Sequence, residues 1–179
     1  LLANKHVFVE KPLARKVDEC LELNELAQQR ERILMVGHIF KFNPGIKYVK
    51  ALLQEETLGK VISLHAIRTN LGPVRTDVNA LWDLGSHDLS IFNYWLVEQP
   101  SSVTASGLSY LSEQREDMVI ANYLYPEQVM ATLYVSWLHP RKVREITVVG
   151  SEKMLVWNDM DLNEPVRIYD KGIEQETDL

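Results

Sequence analysis

Residues 77–96 form the longest apolar stripe of the chain and read Asp77-Val78-Asn79-Ala80-Leu81-Trp82-Asp83-Leu84-Gly85-Ser86-His87-Asp88-Leu89-Ser90-Ile91-Phe92-Asn93-Tyr94-Trp95-Leu96. At helical spacing, one side of this stretch is apolar and consists of Leu81, Gly85, Leu89, Phe92 and Leu96. A second side is polar and consists of Asp83, His87, Ser90 and Tyr94. The pattern predicts a helix whose apolar side faces the core, with the rest of the chain packed around it.

The polar side of this helix carries a carboxylate and an imidazole one turn apart. Asp83 and His87 stand at i and i+4, which places their Cβ atoms about 5–6 Å apart, and Gly85 with Ser86 leaves room for a close approach to the backbone. Such a pair can handle a proton, although spacing alone favours a solvated surface ion pair. No metal site is predicted, because no third ligand of suitable spacing lies nearby and Cys20 is remote.

Composition excludes several classes of function. The 179 residues are 46% hydrophobic and 25% charged, which is enough to bury a core. A net charge of −6 without a basic run predicts no nucleic-acid partner and no anionic membrane surface. A single cysteine excludes an intrachain disulfide framework and is typical of a reducing compartment. We expect neither a membrane span nor a signal peptide, and therefore a cytoplasmic location.

The front of the chain has the pattern of a strand, a helix and a second strand. His6–Glu10 and Ile33–Gly37 are short apolar runs typical of parallel strands buried on both faces, and a Glu- and Gln-rich helix separates them. This is the βαβ unit of a doubly wound sheet. Because Leu1–Lys5 resembles the end of a helix and lacks an initiator Met, we expect the chain to begin in mid-fold.

After Gly37 the pattern changes to a helix, a strand and then an all-β region. A helix is predicted from Pro44 to Leu58, followed by a half-buried strand from Val61 to Asn70. Beyond Leu96, short polar connections separate six strand-like runs and predict an antiparallel meander. The runs are Val103–Leu111, Met118–Tyr125, Val129–Leu138, Val143–Val149, Met154–Trp157 and Val166–Tyr169. The acidic segment 174–178 is predicted to fray.

Three motifs occur in an order that resembles the Gfo/Idh/MocA family of oxidoreductases (glucose-fructose oxidoreductase, inositol dehydrogenase, rhizopine catabolism). They are Glu10-Lys11-Pro12, Phe42-Asn43-Pro44 and Asp83-Leu84-Gly85-Ser86-His87-Asp88. The resemblance covers nearly the whole chain. It implies an α/β protein in which residues 1–39 are the C-terminal part of a Rossmann domain. Residues 40–179 would then be an α+β catalytic domain with a large, mostly antiparallel open sheet, like the C-terminal domain of glyceraldehyde-3-phosphate dehydrogenase.

The resemblance also implies a chemistry and residue roles. NAD or NADP would exchange a hydride with a sugar or nucleotide-sugar hydroxyl, His87 would accept the hydroxyl proton, and Asp83 would position the substrate. Lys11 would contact the hydroxyl and the nicotinamide ribose. Histidine suits the proton transfer because its ordinary pKa lies near neutrality. Three further residues, Glu10, Pro12 and Lys41, are assigned to the cofactor side.

Three polar residues on the strand and loop that lead into the site helix are candidate substrate contacts, namely Arg68, Asn70 and Arg75. The chain departs from the family in one respect, because it contains no G-x-G-x-x-G for the pyrophosphate. We therefore expect the front of the Rossmann domain to be missing from this chain. The family implies a homo-oligomer formed through the antiparallel sheet. The alternative hypothesis is a non-catalytic assembly or sugar-binding module with a vestigial site.

Overall fold

A pair of parallel strands and a separate seven-stranded sheet organise the computed structural model, which describes residues 1–172. The chain divides into two compact units, Leu1–Ile39 and the residues from Phe40 onward. The predicted fraying of 174–178 falls outside the described residues. No helix within residues 1–172 has the length and apolar character that a membrane crossing requires.

The first unit is the predicted βαβ motif. Strand β1 (Val7–Val9) is followed by helix α1 (Val17–Gln29) and strand β2 (Leu34–Val36), and the two strands pair in parallel. The expected burial on both faces is wrong for these strands, because Phe8 is 62% and Met35 is 40% exposed. The reason is that α1 is the one helix available, among the described residues of this unit, to cover a sheet of two strands.

Seven strands of the second unit form one sheet. They are β3 (Val61–Thr69), β4 (Ser102–Leu108), β5 (Met118–Leu124), β6 (Met130–Ser136), β7 (Val143–Gly150), β8 (Met154–Asn158) and β9 (Val166–Tyr169). Their order across the sheet is β4-β5-β6-β3-β7-β8-β9, and every neighbouring pair except β3 and β6 is antiparallel. The predicted large and mostly antiparallel sheet is therefore confirmed.

The strand order corrects the predicted meander in one place. Strand β3 lies between β6 and β7, parallel to the first and antiparallel to the second. Leu64 and Ala66 on β3 are buried in the core, so this strand belongs in the middle of the sheet. The segment 137–142 joins β6 to β7 over the intervening strand, a separation of about 10 Å at ordinary strand spacing.

Helix α2 (Pro44–Gln54) begins at a side-chain cap, because Asn43 Oδ1 accepts hydrogen bonds from the backbone N–H groups of Gly45 and Ile46 at 2.8 and 3.3 Å. The predicted helix end at Leu58 is wrong, and the helix stops four residues earlier. Glu56 and Gly59 have φ angles of 54° and 68°, a left-handed conformation that ends the helix and turns the chain into β3.

The central stretch 77–96 is helical but is not one regular α-helix. A single π-helical turn (Leu81–Gly85) precedes helix α3 (Ser86–Leu96), and the backbone N–H of Ser86 donates to the carbonyl of Leu81. The sequence predicted that Gly85 leaves room for a ligand to approach the backbone, and the structure shows that it does not. A methyl group there would lie 2.8 Å from the side chains of Leu133 and Leu81, so the sheet already fills that space.

Helices α2 and α3 cover one face of the seven-stranded sheet and form the core with it. The other face carries partly exposed apolar side chains, including Ile120 (50% exposed) and Ile67 (39% exposed). These two residues both pair with Tyr134, on either side of it, so they form a continuous row across β5, β6 and β3. The sheet is therefore covered on one face and open on the other within the second unit.

Candidate functional site

The carboxylate of Asp83 is held by two donors within the second unit. Arg75 Nη1 donates to Oδ1 at 3.4 Å, and Trp137 Nε1 donates to Oδ2 at 3.2 Å. Arg75 also donates two hydrogen bonds to the Asp77 carboxylate, at 2.9 and 2.6 Å. These bonds raise the pKa of the Arg75 guanidinium above its ordinary value. Asp83 thus has a fixed orientation beside a permanent positive charge.

His87 lies in the first turn of α3, directly after the π-helical turn. Its imidazole meets the ring of Phe40 edge-on, with centroids 5.0 Å apart and an interplanar angle of 68°. The Ser90 hydroxyl donates to the His87 carbonyl at 2.7 Å, which occupies a backbone acceptor of this first turn. π-Helical turns are rare and occur frequently at functional sites. The predicted pair Asp83 and His87 therefore stands at a local irregularity of the helix.

A buried ion pair lies next to this pair. Asp88 and Arg68 are 1% and 2% exposed, and the guanidinium binds the carboxylate with two hydrogen bonds of 2.6 and 2.9 Å. The Arg68 side chain is thus bound to Asp88 in the core and is not presented outward, as the predicted substrate contact would require. The Arg68 guanidinium carbon also lies 4.5 Å from the centre of the Phe40 ring.

The other predicted residues of the second unit lie nearer its surface. Asn70 follows β3 and is half-buried, and its backbone N–H donates to Ser136 O at 3.1 Å. Lys41 is half-buried in the short 3₁₀ helix Ile39–Phe42, with its ammonium 6.0 Å from the centre of the Tyr94 ring. Asn70 and Lys41 therefore differ from Arg68, whose side chain forms a buried ion pair.

The predicted cofactor residues of the first unit gather at one edge of its two-stranded sheet. Glu10, Lys11 and Pro12 follow β1, and Gly37 follows β2 and donates its N–H to Val9 O at 2.8 Å. A methyl group on Gly37 would lie 3.3 Å from a Glu10 carboxylate oxygen. In doubly wound folds the carboxyl ends of parallel strands are where dinucleotides bind. These residues therefore fit the cofactor side of a Rossmann domain. Residues 1–172 contain no group of three or more His, Cys, Asp or Glu side chains arranged to hold a metal ion.

Sequence reasoning missed three residues of this site, namely Trp137, Phe40 and Asp88. Asp88 had a usable signal, because it falls on the apolar side of the helix between Gly85 and Phe92. An acid in an apolar stripe requires a partner when it is buried. Trp137 and Phe40 had no such signal, because each reaches the site from a separate element.

Comparison with known proteins identifies the relatives of both units. Residues 46–156 match the GFO/IDH/MocA C-terminal domain, and residues 1–38 match the oxidoreductase family with an NAD-binding Rossmann fold. UDP-N-acetylglucosamine 3-dehydrogenase of Acidithiobacillus ferrooxidans is 27% identical over 172 residues, covering 95% of this chain and 52% of the relative. 2,7-Anhydro-N-acetylneuraminate hydratase of Escherichia coli is 26% identical over 145 residues, covering 72% of this chain and 38% of the relative.

A crystal structure of the Acidithiobacillus ferrooxidans enzyme superposes on this chain with a TM-score of 0.82 at 26% identity, covering 99% of this chain and 57% of that one. The chain spans between 38% and 52% of the length of these two curated relatives. The match to the Acidithiobacillus ferrooxidans enzyme thus extends over both units of this chain and over about half of the relative.

Proposed function

The chain belongs to the Gfo/Idh/MocA family of oxidoreductases, and from this premise we propose that it supplies the catalytic half of an NAD- or NADP-dependent dehydrogenase acting on a sugar or nucleotide-sugar hydroxyl. One observation carries the proposal: Asp83 is held in a fixed orientation by Arg75 and Trp137, one turn before His87. A solvated surface pair would not need two dedicated donors on its carboxylate.

Each residue has a distinct role in this proposal. The nicotinamide of the bound cofactor supplies the hydride acceptor. His87 takes the proton of the reacting hydroxyl, and Asp83 orients the substrate beside it. Lys11 stabilises the negative charge that develops on the hydroxyl oxygen. Glu10, Lys11, Pro12 and Lys41 hold the cofactor.

The substrate side of the proposal rests on Asn70, Arg75 and the named relatives. Arg75 is a charged donor at a partly exposed position, with 39% of its side chain accessible, so it can reach a hydroxyl or a phosphate. The Acidithiobacillus ferrooxidans relative is named for a nucleotide sugar, which supports that substrate class here. The single cysteine supports a reducing compartment, and we propose the cytoplasm.

The test is steady-state kinetics on the completed enzyme, by which we mean this chain preceded by the remainder of a Rossmann domain. His87→Ala should lower turnover roughly 10²–10⁴-fold, the range for loss of a positioned general base, while dinucleotide affinity is kept. Lys11→Met should lower turnover comparably. His65→Ala is the matched control, because the His65 side chain lies on the open face of the sheet, where its Nδ1 forms a hydrogen bond with Thr132 Oγ1 at 2.8 Å.

Two results would change the conclusion. A folded His87→Ala variant with unchanged turnover would leave Asp83 and His87 as ordinary helix surface and would favour the non-catalytic module. Consumption of a sugar without accumulation of reduced cofactor would instead favour the chemistry named for the Escherichia coli relative, a hydratase. Product analysis beside the absorbance assay separates these outcomes.

A further inference from the structure

Phe40 connects the buried ion pair to the imidazole of His87. One neighbour of the Phe40 ring is the Arg68 guanidinium, at 4.5 Å from the ring centre. Another is His87, at 5.0 Å between centroids, and a third is Trp157, at 6.0 Å and 86°. Phe40 itself is 7% exposed. We infer that the Arg68–Asp88 pair is a positioning device that sets the orientation of the His87 imidazole by fixing the Phe40 ring.

Stability does not by itself explain a charged pair at this place. Arg68 and Asp88 have side chains 3% and 1% exposed, and removing two charges from water to this extent costs free energy that their attraction repays only with good geometry. Apolar residues of similar volume are often equally stable or more stable in such positions. What apolar residues would not provide is a planar guanidinium, locked by two hydrogen bonds, against the face of an aromatic ring.

A fixed Phe40 ring matters because the imidazole has little orientation preference of its own. The second side-chain torsion of histidine is broad and roughly two-fold, so the contacts of the ring, of which Phe40 is one, decide which nitrogen faces a substrate. Phe40 meets His87 at a defined angle, and Arg68 and Trp157 limit the orientation of Phe40 in turn. This inference rests on the proposed role of His87 as the base, and it names Phe40, Arg68 and Asp88 as positioning residues.

The first comparison uses Phe40→Leu and Phe92→Leu in the completed enzyme. Phe92 is fully buried on α3, and its ring stacks edge-on with Tyr123 at 6.4 Å, so the same substitution there makes a matched control. Phe40→Leu should lower kcat about 10- to 100-fold, as expected for a small displacement of a reacting group, with KM changed less than about twofold. Phe92→Leu should lower thermal stability and leave kcat unchanged.

The second comparison replaces the pair itself. In Arg68→Met/Asp88→Leu no buried charge is left alone, so the protein should fold. The value of kcat should nevertheless fall about 10-fold or more, because Phe40 loses the nearer of two guanidinium groups over its ring and keeps only that of Arg144, at 5.8 Å from the ring centre. The readout that does not need turnover is NMR of the His87 imidazole in the 179-residue chain, assigned by its loss in His87→Asn. Phe40→Leu and the double variant should broaden or split this signal, whereas Phe92→Leu should leave it single.

The outcomes separate this inference from the proposed function. If His87→Ala retains turnover, the proposed function fails, and the NMR comparison alone then decides whether Phe40 orients the imidazole. If His87→Ala abolishes turnover while Phe40→Leu and the double variant match Phe92→Leu in kcat and in the His87 signal, the base stands and the positioning device is overturned. The positioning device is supported if Phe40→Leu and the double variant both lower kcat and split the His87 signal, while Phe92→Leu changes neither kcat nor that signal.

Discussion

Breaking the buried Arg68–Asp88 pair on one side should destabilise the second unit far more than breaking an exposed pair of the same length. The pair is joined by hydrogen bonds of 2.6 and 2.9 Å, and its side chains are 3% and 1% exposed. Arg68→Met leaves the Asp88 charge in the core without its counter-ion, and Asp88→Leu does the same to Arg68. Each single variant should lose about 3–5 kcal/mol of unfolding free energy.

The double variant Arg68→Met/Asp88→Leu should behave differently from the sum of its parts. Independent effects would add to about 6–10 kcal/mol, which is as large as the whole stability of many domains. Because the double variant buries no charge, we expect its unfolding free energy within about 2 kcal/mol of wild type. The double variant should therefore be more stable than either single one.

Urea unfolding followed by tryptophan fluorescence measures this cycle, because all four tryptophans lie in the second unit, at positions 82, 95, 137 and 157. The control is Glu164→Gln. It breaks an ion pair with Arg167 whose shortest distance is also 2.6 Å, but in which the two side chains are more than half exposed, so the urea midpoint should not move. Single variants as stable as wild type, or a double variant less stable than both, would refute the assignment of a buried, mutually dependent pair.

Two further predictions concern the open sheet face and a buried lysine. We propose that copies of the chain associate through the open face of the sheet. Ile120→Lys should therefore shift the molar mass measured by light scattering toward that of the monomer, whereas Leu162→Lys, at a position 92% exposed, should not. A wild-type protein that is monomeric at tens of micromolar, on the order of the concentration that saturates a stable interface, would contradict this. Burial lowers the pKa of Lys50 from its ordinary 10.5, so the folded protein binds this proton less tightly than the unfolded chain does. Wild type should therefore gain unfolding free energy relative to Lys50→Met as the pH rises toward 10.5. A difference that does not change with pH would show that Lys50 is not desolvated.

Local patterns in the sequence were sufficient for most elements of secondary structure. The two-residue alternation of β-branched and aromatic residues predicted all six strands after Ser101, with ends within three residues. The apolar stripe through 81, 85, 89, 92 and 96 predicted the central helix, because side chains at helical spacing share one side whatever they pack against. The motifs also indicated the family that the comparisons established.

Strand order and the π-helical turn were not available from local pattern. Strand β3 lies between β6 and β7 although 60 residues separate its end from the start of β6, and strand propensity says nothing about which partner a strand takes. The π-helical turn accompanies the packing of Gly85 against Leu133, a contact between residues 48 positions apart. Both features depend on long-range packing, which a short window of sequence does not contain.

The candidate site divides in the same way. The sequence by itself placed an acid and an imidazole, Asp83 and His87, four residues apart in a helical stretch, because the apolar period that predicts a helix is visible in a short window. Only the tertiary structure decided which charges are buried and which residues bind them. Arg68, a candidate substrate contact in the sequence, is the ion-pair partner of Asp88 in the structure. Trp137 and Phe40 come from other elements and contact Asp83 and His87. The physical reason is that desolvation and ion pairing depend on the distances between side chains in space, and residues that share no local pattern are brought to those distances only when the sheet and the helices pack.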